Sequence, residues 1–81
     1  VYGFDAAAQR FFFKPLSEVT VFEAAILAGM LKAPTRYNPL RHPKEAVDRG
    51  SVVVKKMVEY KYITESVGVA ELKTGKDRIL N

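Results

Sequence analysis

Cysteine and tryptophan are absent from these 81 residues, and histidine occurs once, at His42. Without thiols there is no disulfide framework and no thiolate metal site, although that absence assigns no cellular compartment. A lone histidine argues against a His-based metal centre and against a Ser-His-Asp triad. Long apolar runs are missing too. The longest is the eight residues from Ala24 to Leu31, well short of the ~20 that span a bilayer as a helix. No Gly-rich phosphate loop and no nucleophile elbow is found. Val1 is not a start residue, and no basic segment leads into an apolar stretch, so the sequence reads as part of a longer one rather than as a secreted precursor.

What is present is ordinary for a globular chain: 48% hydrophobic and 27% charged residues, with five Gly and four Pro. That balance excludes disorder as the main state. A chain of this length makes one domain at most, with a core only just large enough to hold it. The formal charge of +4 favours an anionic partner such as a phosphate, an acidic membrane surface or nucleic acid, or simply a solvated basic surface.

Periodicity predicts an all-α architecture with three well-marked helices and a short fourth. Phe4, Ala7, Ala8, Phe11 and Phe12 repeat at helical spacing, predicting a helix over 4–14 that Pro15 ends. Thr20 and Glu23 stand at the spacing of a capping box, in which each side chain accepts from the other's backbone N–H. The helix that follows, 21–32, has charge only at Glu23 and Lys32, so its middle turns are apolar on every side. Such a helix is central and needs neighbours all round. Ala33-Pro34 stops it. A proline-stiffened loop leads to Pro43, which suits the first position of a third helix. There Ala46, Val47, Gly50, Val53, Val54, Met57 and Val58 cover an arc of roughly 140°. Ser51 falls with the polar remainder and Val52 lies off the pattern. Thr64 is a second N-cap candidate, opening a short helix from Glu65 to about Lys73 that Gly68 weakens. Residues 74–81 read as a polar, frayed tail, so the domain is drawn over 1–73.

No matched pair of acids stands out as a general acid and base, and no catalytic or metal-ligating residue is assigned. Glu23 is either an acid with a perturbed pKa or the second half of the cap, and the Thr-x-x-Glu spacing supports the cap. The basic residues offer candidates for phosphate or pyrophosphate: Arg10 and Lys14, taken to share a helix face at i, i+4, with Lys32, Arg36 and Arg41 around the loop. Tyr37 in the Arg36-Tyr37-Asn38-Pro39 turn is expected to pack on the core, and His42 to cap a helix or face solvent. Phe11-Phe12-Phe13 does not make a nucleic-acid stacking platform, because only two of the three share a face.

One series of motifs resembles a known family. Tyr2-Gly3-Phe4-Asp5-Ala6-Ala7-Ala8, Arg10-Phe11-Phe12 and Lys14 are followed by Thr20-Val21-Phe22-Glu23-Ala24-Ala25, Leu27-Ala28-Gly29, Ala33-Pro34 and Tyr37-Asn38-Pro39. Pro43, Ala46, Arg49, Val53, Val54 and Met57 then resemble an Arg-x-x-x-Val-Leu-x-x-Met motif, and Tyr62-Ile63-Thr64 a Gly-Tyr-Ile-Thr. In order and spacing these are similar to the C-terminal part of the peptidoglycan glycosyltransferase domain of glycosyltransferase family 51. The likeness runs from residue 1 to about 65. It departs at Phe13 and Lys61, each standing where the family usually has Gly, at Gly50-Ser51 in place of a polar or basic pair, and at Val54 in place of Leu.

The resemblance implies a lysozyme-like, mostly helical domain acting outside the cytoplasmic membrane of a bacterium. It implies polymerisation of lipid II into glycan strands, with inversion at the anomeric carbon and release of undecaprenyl pyrophosphate. The family's essential glutamates and most pyrophosphate-binding cations lie in motifs upstream of anything matched here. No catalytic residue is therefore carried over, and Arg10, Lys14, Arg36 and Arg49 are the candidates for substrate contact. No cofactor is implied by these residues, and metal use by a full domain stays open. The chain alone is expected to be inactive scaffold. It is also expected to self-associate through the apolar 21–32 helix. The alternative is a small basic helical module binding nucleic acid or a protein, though the helix after residue 42 carries acids among its bases.

Overall fold

A computed structural model describes residues 3–80, and these form four α-helices and one 3-10 turn. Tyr2, which opens the first family-like motif, and Asn81, the last residue of the expected tail, lie outside the described residues. In chain order α1 is Phe4–Phe12, the 3-10 turn is Leu16–Glu18, α2 is Val21–Lys32, α3 is Pro43–Glu59 and α4 is Glu65–Leu80. No strand occurs among the described residues.

Helix α2 is the hub, packed against α1, α3 and α4. Its Phe22, Ala25 and Ile26 meet Ala46, Val47 and Val54 of α3 in one buried cluster. Phe12, Val53, Ile63, Leu72 and Ile79 close around it. Full burial of Phe22, Ile26, Val47 and Val54 removes each from water, worth about 1.5–3 kcal/mol per side chain. Close approach depends on small residues. A Cβ on Gly50 of α3 would stand 3.0 Å from Ile26 Cγ1, and one on Gly29 of α2 would stand 2.8 Å from Arg49 Cγ.

Pro43 does open α3, and Val52 is exposed. Ser51 corrects the polar-face assignment: it is buried, and its hydroxyl donates to the Val47 carbonyl at 2.8 Å, which removes the cost of burying it. Helix α1 is a larger departure. Of its expected apolar face only Ala8 is fully buried, because among the described residues α1 packs on α2 and the adjoining 3-10 turn and neither α3 nor α4 covers its far side.

Two family departures prove informative. Phe13 and Lys61 both adopt left-handed backbone, at φ 57° and φ 62°. Phe13 stops α1 two residues before the expected end, its N–H bonding the Gln9 carbonyl at 3.1 Å. At the end of α3 the Lys61 N–H donates to the Val58 carbonyl at 3.0 Å and the Tyr62 N–H to the Met57 carbonyl at 2.9 Å. These are the two bonds of a Schellman motif. The conformation that suits glycine is kept although the glycines are not.

Helix α4 overturns the expectation of a short helix and a frayed tail. Thr64 caps it, accepting from the Val67 N–H at 3.2 Å. The helix then continues through residues 74–80 to Leu80. Gly75, inside the expected tail, is buried directly against the Phe22 ring, and Gly68 against Val58. At both positions a Cβ would collide with the neighbour, so these glycines are the contact surface of α4 rather than its weak points.

Candidate functional site

The densest polar constellation lies at the N-terminus of α2, where a helix leaves unpaired N–H groups and a partial positive charge. The capping box is complete. Glu23 Oε1 accepts from the Thr20 N–H at 2.9 Å, and Thr20 Oγ1 accepts from the Glu23 N–H at 3.2 Å. Two further groups join it from elsewhere in the chain. Lys14 Nζ lies 2.8 Å from Glu23 Oε1, and Glu71 Oε1 of α4 accepts from the Phe22 N–H at 3.1 Å.

Glu23 is buried. Burial by itself pushes its carboxyl pKa up, but the hydrogen bonds from Lys14 and the Thr20 backbone, with the Lys14 charge, outweigh burial and hold it below its usual 4.5. A carboxylate so anchored stays ionised at neutral pH and has no proton to give. It is a structural anion, as its spacing predicted.

The four candidate cations do not converge. Lys14 is consumed by Glu23. The i, i+4 face it was to share with Arg10 is not formed, because α1 ends at Phe12 and the left-handed turn at Phe13 swings Lys14 towards α2. Arg10 lines an apolar groove of about 490 Å³ between α1 and the C-terminal half of α2, with Phe4, Phe11, Met30, Leu31 and Pro34 among its walls. Arg36 is exposed in the loop, its guanidinium 5.4 Å from the centre of the Tyr37 ring. Arg49 lays its stem across Gly29, and its Nε is buried without a hydrogen-bond partner among the described residues.

The loop itself is structured. The Tyr37 N–H bonds the Ala33 carbonyl at 3.0 Å, and Asn38 organises the next turn by accepting from the Leu40 N–H on its side chain and from the His42 N–H on its carbonyl. Tyr37 is half-buried and Pro39 buried. His42 occupies the N-cap position of α3 without a side-chain cap bond, its Nδ1 3.6 Å from Glu45 Oε2 in an exposed pair. Among the described residues no group of three or more His, Cys, Asp or Glu is placed to hold a metal.

Sequence reasoning missed Lys14 as the partner of Glu23, and Glu71 altogether. Lys14 sits nine positions before Glu23 across an irregular turn. Glu71 lies 49 positions from Phe22. No local pattern links either pair; only the docking of α4 against α2 brings Glu71 in.

Comparison with known proteins places this geometry. A transglycosylase family model matches residues 1–58. Penicillin-binding protein 1A of Aquifex aeolicus (strain VF5) is 49% identical over 63 residues, which are 78% of this chain and 9% of that protein. Penicillin-binding protein 1A of Haemophilus influenzae is 46% identical over 72 residues, 89% of this chain and 8% of that one. Penicillin-binding protein 1B of the same organism is 36% identical over 67 residues, 83% of this chain and 9% of the relative. The chain thus spans less than a tenth of the length of these relatives. Its capped apolar hub helix, its structured loop and all but the last residue of the helix opened by Pro43 fall within the matched span, and the chain belongs to the transglycosylase family.

Proposed function

We propose that this chain is scaffold within a peptidoglycan glycosyltransferase, an enzyme that polymerises lipid II into glycan strands for the cell wall at the outer face of the bacterial membrane. The observation that carries the reading is the transglycosylase match over residues 1–58, with 46–49% identity to two penicillin-binding proteins 1A. The role as scaffold rests on Glu23. The one buried carboxylate among the described residues is held ionised by Thr20 and Lys14, and the second acid at that helix end, Glu71, is engaged by the Phe22 N–H. Glycosyl transfer needs a base to deprotonate the acceptor hydroxyl, and that base comes from outside these residues. Of the four candidate cations, Arg10, Arg36 and Arg49 keep a charge to offer substrate. Arg49 has the strongest case, because a buried unpaired Nε is expensive unless another part of the domain supplies an acceptor.

A chimera tests both halves of the proposal. The 81-residue chain incubated with lipid II is expected to form no glycan polymer. Replacing the matching 72 residues of the Haemophilus influenzae penicillin-binding protein 1A with this segment is expected to preserve polymerisation. Polymer from the chain alone, or a folded chimera that binds lipid II normally yet makes none, overturns the scaffold reading.

A further inference from the structure

Helices α3 and α4 form an antiparallel hairpin. Gly68 lies against Val58, and farther from the turn the Phe22 ring lies between Gly50 of α3 and Gly75 of α4. Residue numbers fall along α3 as they rise along α4, so the pairing is symmetrical about residue 63. The turn that closes the hairpin, Tyr60 to Thr64, contains neither Gly nor Pro. Its reversal rests on Lys61 at φ 62°, a conformation that disfavours any residue with a Cβ. Nothing in the composition of the turn stops a helix from running straight through it, and the phase suits one. Buried Val47 and Val54 of α3 and buried Gly68 and Gly75 of α4 fall on one seven-residue repeat, in which Lys61 fills the missing place.

We propose that two copies of this chain exchange α4. The turn straightens, α3 and α4 become one helix from Pro43 to Leu80, and two such helices pair antiparallel about a twofold axis near residue 63. Because the hairpin pairing is symmetrical about that residue, each Gly68 still meets a Val58 and each Gly75 a Phe22, now of the other copy. Glu71 likewise accepts from the other copy's Phe22 N–H. The two α2 helices dock ~40 Å apart along the pair and do not collide. Lys61 leaves the left-handed region and stands opposite Glu65 of the other copy, giving one ion pair on each side of the axis. The cost is Ile63, which the straight helix turns out of the core cluster. A second copy is the occupant because the surface that receives α4 already fits α4 residue for residue. The self-association expected of the apolar hub helix then runs through α4 rather than through an open face of α2. The inference is independent of the glycosyltransferase reading, because association is measured without lipid II and either can fail alone.

With the same contacts in both forms, the balance is set by the hinge and by the effective concentration of a helix on a short tether, which is millimolar. Relief of one left-handed residue is worth about tenfold, and each dimer relieves two. Loss of the Ile63 contact returns part of that gain. The dimer is therefore expected to dissociate between about 10 µM and 1 mM, which sedimentation equilibrium of the 81-residue chain up to ~1 mM resolves. Lys61→Gly suits the closed turn and not a helix interior, and is expected to weaken dimerisation roughly 100-fold. Lys61→Glu and Glu65→Lys each set like charges against one another across the axis and are expected to lower dimerisation alone. An equimolar mixture of the two is expected to restore it as a heterodimer, with native helix content by far-UV circular dichroism. A parent chain that stays monomeric at the highest concentration overturns the proposal. So does a dimer indifferent to Lys61→Gly, or a mixture of the charge variants that associates no better than either alone.

Discussion

Helices α2 and α4 meet at Phe22, a residue of α2, and they build that contact by opposite means. Helix α2 contributes bulk: Phe22, Ala25, Ile26 and Leu27 are buried. Helix α4 buries glycines, and Gly75 lets the backbone itself lie against the Phe22 ring. Both ends of the same contact are needed, but only one carries a hydrophobic signature. A helix that buries side chains announces itself by periodicity, whereas a helix that buries its backbone looks polar and weak. The difference explains why α2 was evident from its composition and the second half of α4 was not.

The comparison can be broken most severely at its shared residue. Phe22→Ala removes the side chain that both α3 and α4 enclose, and is expected to cost about 3–5 kcal/mol in urea denaturation. A loss much below that range would mean that the core collapses around the missing ring, and that Phe22 is less central than its full burial indicates.

Gly75→Ala separates the two modes of burial. Helix propensity alone predicts a gain of about 1 kcal/mol. The collision of the new Cβ with Phe22 predicts a net loss of about 1–3 kcal/mol. A measured stabilisation would show that α4 does not lie against Phe22 through Gly75, and would restore the frayed tail.

The N-terminus of α2 sharpens the comparison through pH. Because the folded pKa of Glu23 is depressed, its contribution is fully present above the usual value of 4.5 and is lost as pH falls through the lower folded value. Glu23→Gln is expected to cost about 1–2 kcal/mol at pH 7, from loss of the Lys14 partner and weakening of the cap. Below the folded pKa the gap between the variant and the parent is expected to narrow. Denaturant midpoints for the two proteins, taken across the acid range, check this; a gap that does not change with pH assigns the stabilisation to packing instead.

The smallest effect has the opposite sign. Phe13 is 81% exposed and holds a left-handed backbone that glycine adopts without steric cost. Phe13→Gly is expected to raise stability by about 0.5–1 kcal/mol, the steric relief exceeding the added entropy of the unfolded chain. A thermal-melt shift upward is the readout, and a shift downward would mean that the ring packs on something the exposed surface does not reveal.

Much of the site was legible for a local reason. Thr20 and Glu23 are three residues apart, so one turn of helix forces their side chains onto each other's N–H groups, and a capping role followed from spacing. The role of Lys14 was not legible. It depended on where α1 stops, and of the two outcomes open at Phe13, a longer helix or a strained and exposed left-handed residue in the family's glycine position, the structure takes the second. Glu71 was out of reach altogether, since the N–H it accepts from belongs to a helix 49 residues away. Ser51 looked like surface because its type is polar; a bond to the carbonyl one turn back made it fit to bury.

By itself the sequence determined the all-α class, the family, the starts of α2, α3 and α4, and the apolar hub helix. The family is carried by the order and spacing of its motifs; each of the others is written in interactions within about one helical turn or in the period of apolar residues, and so survives without knowledge of neighbours. Only the tertiary structure decided that α4 runs to Leu80, that two glycines form its contact face, that Lys14 is spent on Glu23, and that a groove stays open between α1 and α2. Those outcomes depend on which surfaces meet, and close contact between distant segments can turn a missing side chain into the best-fitting one.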